Sequence, residues 1–408
     1  MTQPHPAGPL SGLVVADFSR VLAGPLATMM LADLGARVIK VERPDGGDDT
    51  RSWGPPYHHD LSTYYLALNR NKRSVTLDLK DPADLGRART LARRADVLVE
   101  NFRPGTMARF GLSDADLRAE NPGLIYCSIS GFGAGSGADL PGYDLLIQAT
   151  GGLMSLTGDP ATGPTKAGVA IIDIVTGLHA TTGVLAALQE RTRSGRGQLI
   201  EVSLLNSALN TLLNHASAFL CTGTVPVATG NAHPSIAPYQ TFATANGTLV
   251  LAVGTDAQFT RLCQVLGRPE LAADPRFRTN PARVEHRDAL TTELTAALAA
   301  APATDWARRL TAVSVPAGPV HDVSAAFQFA ESLGLAPAVR PGPDWPPMTR
   351  NPLSLSRTPV QYRSAPPRLG EHHTEVVAWL DETEDDRVAR DPRGGGPARA
   401  PDGVGPQS

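Results

Sequence analysis

The sequence predicts an α/β protein with a large Rossmann-like domain and a smaller α+β domain. Two patterns carry that expectation. Short apolar runs alternate with helical periodicity over roughly the first 130 residues, and an Asn246-Gly247 hairpin signal opens a stretch of different character. Strands separated by helices of ten or so residues imply a parallel sheet with crossover connections.

The elements follow in order. Leu13-Val-Val-Ala-Asp-Phe18 reads as a buried strand. Pro25 suits a first helical turn, and Leu26, Met29, Met30 and Leu34 recur at helical spacing until Gly35. Further strands are expected at 37–41, 74–78, 96–100 and 124–129, with a helix over 82–94. Glycine-rich residues 131–168 suit long functional loops. An apolar helix then runs from Asp173 to Gln189, and 198–203 returns to the sheet. A helix over 204–222 leads to two strands flanking Asn246-Gly247 and to helices near 256–266, 283–300 and 304–312. The expected boundaries are 9–205 for the first part of the large domain, 206–228 for a linker helix and 229–325 for the small domain. Residues 326–380 return to the large domain, and 381–408, acidic and then rich in Gly, Pro and Arg, suit a disordered tail.

Composition narrows the function. A net charge of −3 gives no basic footprint for nucleic acid. Three scattered cysteines, without CxxC or Cys/His spacing, argue for reduced thiols, a cytoplasmic location and no metal site. No signal peptide is read at the N-terminus, and no stretch approaches about 20 uninterrupted apolar residues, so no membrane partner is expected.

Asp173 is the most informative position, a lone carboxylate in Lys166-Ala-Gly-Val-Ala-Ile-Ile-Asp-Ile-Val-Thr-Gly177. An unpaired buried carboxylate is costly, so a partner or a task is expected. The task would be nucleophilic or proton-transfer chemistry at a carbonyl; the alternative is a carboxylate held by helix N-terminal N–H groups. Gly131-Phe-Gly-Ala-Gly-Ser-Gly137 follows a strand but leads into Ala138-Asp-Leu-Pro-Gly142, a poor helix start, so a mobile loop fits better than a dinucleotide fingerprint. Arg43, Lys80 and Arg109 each follow a strand, where open α/β sheets bind ligands, and together they suit a phosphate-bearing anion.

The chain resembles the class III CoA-transferases, the CaiB/BaiF family. The motifs are Asp17-Phe-Ser-Arg-Val-Leu-Ala-Gly-Pro25, Leu34-Gly-Ala-Arg-Val-Ile-Lys-Val-Glu-Arg43, Gly46-Gly-Asp48, Asn71-Lys-Arg-Ser74 and Val97-Leu-Val-Glu-Asn-Phe-Arg-Pro-Gly105. Gly142-Tyr-Asp144, the Asp173 segment, Thr192-Arg-Ser-Gly-Arg-Gly-Gln198 and Leu369-Gly-Glu-His-His-Thr374 complete the set. The resemblance implies a ring-shaped chain forming an interlocked homodimer, with Asp173 as nucleophile. It places CoA contacts on Leu22, Ala23, Arg43, Leu77, Lys80, Asn101, Phe102, Arg103, Arg109, Tyr143 and Asp144. CoA and acyl-CoA enter as substrates, and no permanently bound cofactor is implied. The segment 230–240 lacks the glycine run of formyl-CoA transferases and looks more like the succinyl-CoA-dependent dicarboxylate branch; His233 and Ser235 would meet the acceptor acid. The implied reaction passes through an aspartyl anhydride and an aspartyl-CoA thioester. The alternatives are a 2-methylacyl-CoA racemase, for which Tyr143 stands where a histidine base is needed, and a CoA-binding protein without turnover.

Overall fold

The computed structural model describes residues 8–159, 161–342 and 345–382. The chain divides into two compact units: residues 1–130, 177–202 and 340–408 in the first, 131–176 and 203–339 in the second. Residues 131–176, expected within the large domain, thus cluster with the second unit. The tail from 383 onward lies outside the described residues.

The first unit is built on six strands: β1 (Val14–Asp17), β2 (Arg37–Glu42), β3 (Lys72–Thr76), β4 (Val97–Glu100), β5 (Ile125–Ser130) and β6 (Leu199–Ser203). Their order across the sheet is β3-β2-β1-β4-β5-β6, with the β1–β2, β2–β3, β1–β4 and β4–β5 pairs parallel. The chain leaves β1 toward one side and later returns to its other side at β4. That reversal creates a crevice beyond the carboxyl ends of β1 and β4.

Local sequence explains most elements. Helix α1 (Ala23–Asp33) is buried on nearly every side, which is why its apolar pattern is weakly one-sided. Helix α2 (Pro82–Arg94) has Asp81 accepting from the Ala83 and Asp84 N–H groups, Pro82 in its first turn and Arg93 and Arg94 in its last. Its Ala88, Leu91 and Ala92 enter the core. Strand β3 begins two residues before the expected 74–78, because Lys72 is fully buried in it against Asp17 at 3.0 Å. Leu369-Gly-Glu-His-His-Thr374 lies along this edge strand: the His372 N–H donates to the Ser74 carbonyl at 3.0 Å, and the Gly370 N–H to Ser74 Oγ at 2.9 Å. Within the expected 326–380 return, a closing helix spans His373–Asp381.

The second unit contains α3 (Asp144–Thr150) and a three-stranded antiparallel sheet of β7 (Tyr239–Ala243), β8 (Thr248–Ala252) and β9 (Ala317–Pro319), ordered β9-β8-β7. The hairpin turns at Asn246-Gly247, as expected, and Gly247 takes a positive φ of 82°. Helices Asp256–Val265, Arg287–Leu298 and Ala303–Thr311 supply Phe259, Leu262, Leu290, Leu294, Trp306 and Leu310 to its core.

One helix, α4 (Ile171–Ser194), carries the chain from the second unit into the first. It outlasts the expected end at Gln189 because Arg191 is held by Asp96 Oδ1 at 2.9 Å and by the Gly123 carbonyl at 3.0 Å. By length and composition it could cross a membrane, although Asp173, His179, Thr181 and Thr182 interrupt its apolar run as the sequence indicates. Its Ala180, Val184 and Ala187 are buried, as in a core helix. The expected helix over 204–222 is two, α5 (Leu204–Thr211) and α6 (Asn214–Thr222), broken where Leu213 adopts φ 41°.

Candidate active site

Asp173 stands in the first turn of α4, half-buried. The N–H groups of that turn are already taken. Asp144 Oδ1, from α3, accepts from the Ile172 N–H at 2.8 Å and the Asp173 N–H at 3.1 Å. Asp144 Oδ2 accepts from Gln148 Nε2 at 2.5 Å, and Gln148 Oε1 accepts from the Ala167 N–H at 2.8 Å. Asp144 is thus the capping carboxylate, and Asp173 is not. The helix N–H groups therefore do not hold the Asp173 carboxylate, and among the described residues no hydrogen-bond donor meets it.

Electrostatics follow from that geometry. Burial lifts the Asp173 carboxyl to about 7, and the neighbouring Asp144 charge adds to the effect. A helix N-terminus ordinarily favours a carboxylate, yet here its donors serve a different one. The result is a carboxylate that is more basic than usual, sparsely solvated and unbraced, which suits attack on an electrophilic carbonyl.

Asp144 is assigned a CoA contact from the family resemblance; its carboxylate is engaged by α4 and Gln148. Gln148 was not singled out from sequence at all. The i, i+4 spacing of Asp144 and Gln148 was readable, but their target on a distant helix was not. Tyr143 is 62% exposed.

The glycine-rich segment has a different logic from a dinucleotide loop. A Cβ on Gly131 would lie 2.6 Å from the Gly142 Cα, and one on Gly142 2.5 Å from the Gly131 Cα. Both ends of the loop therefore need glycine to pass each other. His233 and Ser235 lie in the second unit: His233 Nδ1 accepts from the Ser235 N–H at 3.1 Å, and the His233 ring packs on Tyr239 at 5.3 Å. Arg287 and Asn280 hold the two backbone carbonyls of this segment at 2.7 and 2.9 Å.

In the first unit, the crevice end of the sheet holds a cavity of about 240 Å³. Four of the expected CoA residues line it: Arg43, Leu77, Lys80 and Phe102. Asp78 and Leu79, within the expected 77–80 stretch, also line it, and Phe18, Arg20 and Phe110 join them and were missed from sequence. Asp49 draws two cations together there, meeting Arg43 at 2.6 Å and Arg20 at 3.7 Å. Arg20 also stacks over Phe102 at 4.9 Å.

Asn101 acts through the backbone: its Oδ1 accepts from the Arg20 N–H at 2.8 Å and its Nδ2 donates to the Arg20 carbonyl at 2.7 Å. The next residue, Val21, is held at φ 70°, a strained value for a β-branched side chain. Leu22 and Ala23 are buried at the start of α1 and do not line the cavity. Arg103 and Arg109 are exposed and are not among the lining residues; Arg109 Nη2 donates to Thr106 Oγ1 at 3.1 Å. The expected gathering of strand-end cations therefore holds for Arg43 and Lys80, with Arg20 in place of Arg109.

The model of CoA-transferase family III matches residues 10–373. The chain belongs to CoA-transferase family III. A succinate–glutarate CoA-transferase of Agrobacterium fabrum is 44% identical over 401 residues, covering 93% of this chain and 98% of that protein. An acetyl-CoA:oxalate CoA-transferase of Acetobacter aceti is 41% identical over 357 residues, covering 87% and 91%. The crystal structure of a CaiB/BaiF family protein from Brucella suis superimposes with a TM-score of 0.84 at 42% identity, covering 92% of this chain and all of that one. The resemblance carried by the motifs is thus correct, and this family III CoA-transferase is an enzyme whose substrates are CoA thioesters. The racemase alternative finds no support in these relatives.

Proposed function

We propose that this enzyme moves CoA from succinyl-CoA to a small dicarboxylic acid, with glutarate as the first acceptor to test. The observation that carries the reading is the unbraced Asp173 carboxylate, with its proton affinity raised to about 7. The succinate–glutarate relative supports the choice of donor and acceptor.

In this mechanism Asp173 attacks the thioester carbonyl, and the C–S bond breaks to give a mixed anhydride and CoA thiolate. The thiolate attacks the Asp173 carbonyl, releases succinate and leaves an aspartyl-CoA thioester. The acceptor carboxylate then attacks that thioester, forming a second anhydride and freeing thiolate again. Attack of the thiolate on the acceptor acyl carbon gives the new CoA ester and restores Asp173. Each step exchanges groups of similar reactivity, so no single displacement is hard. Water must be excluded, because it would hydrolyse either anhydride.

Arg43 and Lys80 are proposed to hold the phosphates of CoA, while Leu77 and Phe102 give the cavity an apolar wall. Charge-assisted bonds of this kind contribute about 1.5–3 kcal/mol each. Arg43→Ala or Lys80→Ala is therefore expected to raise KM for succinyl-CoA about tenfold or more with a smaller change in kcat. Arg109→Ala should leave KM within about twofold; steady-state kinetics check all three.

The pH profile tests the nucleophile's environment. Asp173 must be ionised to attack, so kcat/KM should rise about tenfold per unit up to a pH of about 7 and level off above it. Asp144→Asn keeps an acceptor for the Ile172 and Asp173 N–H groups but removes the second negative charge. Its inflection should move to lower pH, and an unmoved inflection would remove Asp144 as a cause.

A homodimer is part of this proposal. Helix α6 buries none of its residues in the single chain, and Leu213, Phe219 and Leu220 are 70%, 51% and 79% exposed. Light scattering should give twice the chain mass. The substrate assignment is tested by mass-spectrometric exchange of succinyl-CoA and acetyl-CoA against glutarate, other dicarboxylates and oxalate. Faster turnover of acetyl-CoA with oxalate than of succinyl-CoA with glutarate would overturn it.

A further inference from the structure

The opposite end of the first unit's sheet carries a second polar cavity, of about 630 Å³. Arg37, Arg73, Arg363 and His372 line it, along with Asn71 and Ser11, and among the described residues no carboxylate does. Arg37 is the first residue of β2 and Arg43 follows its last, so the strand separates the two cavities by roughly 20 Å at about 3.3 Å per residue. In open parallel sheets ligands gather at the carboxyl ends of strands, and the fold gives no reason for cations to collect at the other end.

The acids that act on these cations stand outside the cavity lining and neutralise them in part. Arg37 lies with its guanidinium 4.5 Å from the Trp379 ring, and its buried Nε has no hydrogen-bond partner. Arg363 spends its Nη groups on three neutral carbonyls, those of Ala32, Gly35 and Ala36, at 2.9–3.2 Å. Its charge therefore meets no carboxylate directly. Arg73 is paired with Glu375 on the solvent side, and Glu382 lies near enough to Arg37 to favour its charge. Asp33 likewise favours the charge of Arg363 and Glu371 that of His372, while Arg73 opposes the charge of Arg37, of Arg363 and of His372, so the groups feel one another across the cavity.

We propose that this cavity is a binding site for a phosphoryl anion, separate from the CoA cavity. Three guanidiniums around one space match the charge of a diphosphate better than that of a single carboxylate, and the partly exposed Arg73 offers a planar fork for phosphate oxygens. Arg37, whose Nε–H has no partner among the described residues, brings a further donor to the lining. The volume admits either inorganic pyrophosphate or a nucleoside diphosphate.

The test is equilibrium binding of inorganic pyrophosphate, and in a second arm of ADP, to the full-length protein with its CoA site saturated by CoA. One saturable equivalent per chain is expected. Comparable binding in both arms identifies the phosphoryl group alone as the ligand, and tenfold tighter ADP binding adds recognition of the nucleoside. Arg73→Gln, at a partly exposed position, should weaken binding at least tenfold. Arg37→Lys, which keeps the charge, should stay closer to the parent than Arg37→Gln does. Absence of saturable binding in both arms, or unchanged binding by a folded Arg73→Gln variant, overturns the proposal. The measurement involves no acyl transfer, so its failure leaves the transferase reading untouched.

Discussion

Asp173→Asn is expected to lower the rate of CoA transfer by about a thousandfold or more while leaving CoA affinity within about threefold. Asparagine has nearly the same shape, so the first turn of α4 and the Asp144 cap on the Ile172 and Asp173 N–H groups can remain as they are. What disappears is the only group proposed to carry the acyl chain and then CoA. Burial makes the same substitution favourable for folding. The folded Asp173 holds its proton up to about 7, whereas an unfolded aspartate releases it near 4. A raised carboxyl therefore supports the fold fully below about pH 4, and that support is lost as pH rises through 7. The asparagine variant should accordingly melt higher than the parent at pH 8, with the difference vanishing near pH 4. Turnover with an oxygen-18-labelled acceptor acid should leave label on Asp173 of the parent. A variant that transfers CoA within tenfold of the parent rate would dismiss Asp173 as nucleophile.

Asp17→Asn should cost about 3–5 kcal/mol of stability, the largest such loss expected from a single polar change in the first unit. Asp17, Lys72, Lys40 and Asp48 are all buried in one chain of charges. Asp17 Oδ2 accepts from Lys72 Nζ at 3.0 Å and Thr28 Oγ1 at 2.7 Å, and Asp48 Oδ2 accepts from Lys40 Nζ at 2.8 Å. Burial has already pulled the Lys72 amine down to about 8, with Asp17 its chief support. Removing that support leaves two buried ammonium groups facing one carboxylate. Replacing Lys72 by methionine in the same chain should recover much of the loss, since an apolar pair avoids the desolvation cost. Urea unfolding at pH 7 checks both, and an unshifted midpoint for Asp17→Asn would contradict the account.

These charges also mark where the sequence was legible. Apolar runs located β1, β2, β4 and β5 within a residue or so, and Asp81-Pro82 with Arg93-Arg94 bounded α2 at both ends. Lys40 and Lys72 look like solvent-facing residues on any hydropathy pattern, yet both are fully buried because Asp48 and Asp17 meet them. Those partners lie 8 and 55 residues away; no periodicity signals the first pairing, and no local window spans the second. The candidate site divides in the same way. Asp173 stood out as a lone acid among aliphatic neighbours, and Arg43 and Lys80 stood out by their places after strands. Asp144 and Arg20 acquire their roles only through tertiary contact, and Arg109, though placed after a strand, turns to its own helix.

The edge strand β3 has a further consequence, for biogenesis. Its outer side is covered by Ser364 and the 369–373 segment, and the bond between Gly370 and Ser74 spans 296 residues. During synthesis at about 5–20 residues per second, this margin stays bare for roughly 15–60 s before its cover leaves the ribosome. A bare strand margin invites pairing with other nascent chains. Production of this enzyme should therefore depend on holdase chaperones more than its finished stability would suggest.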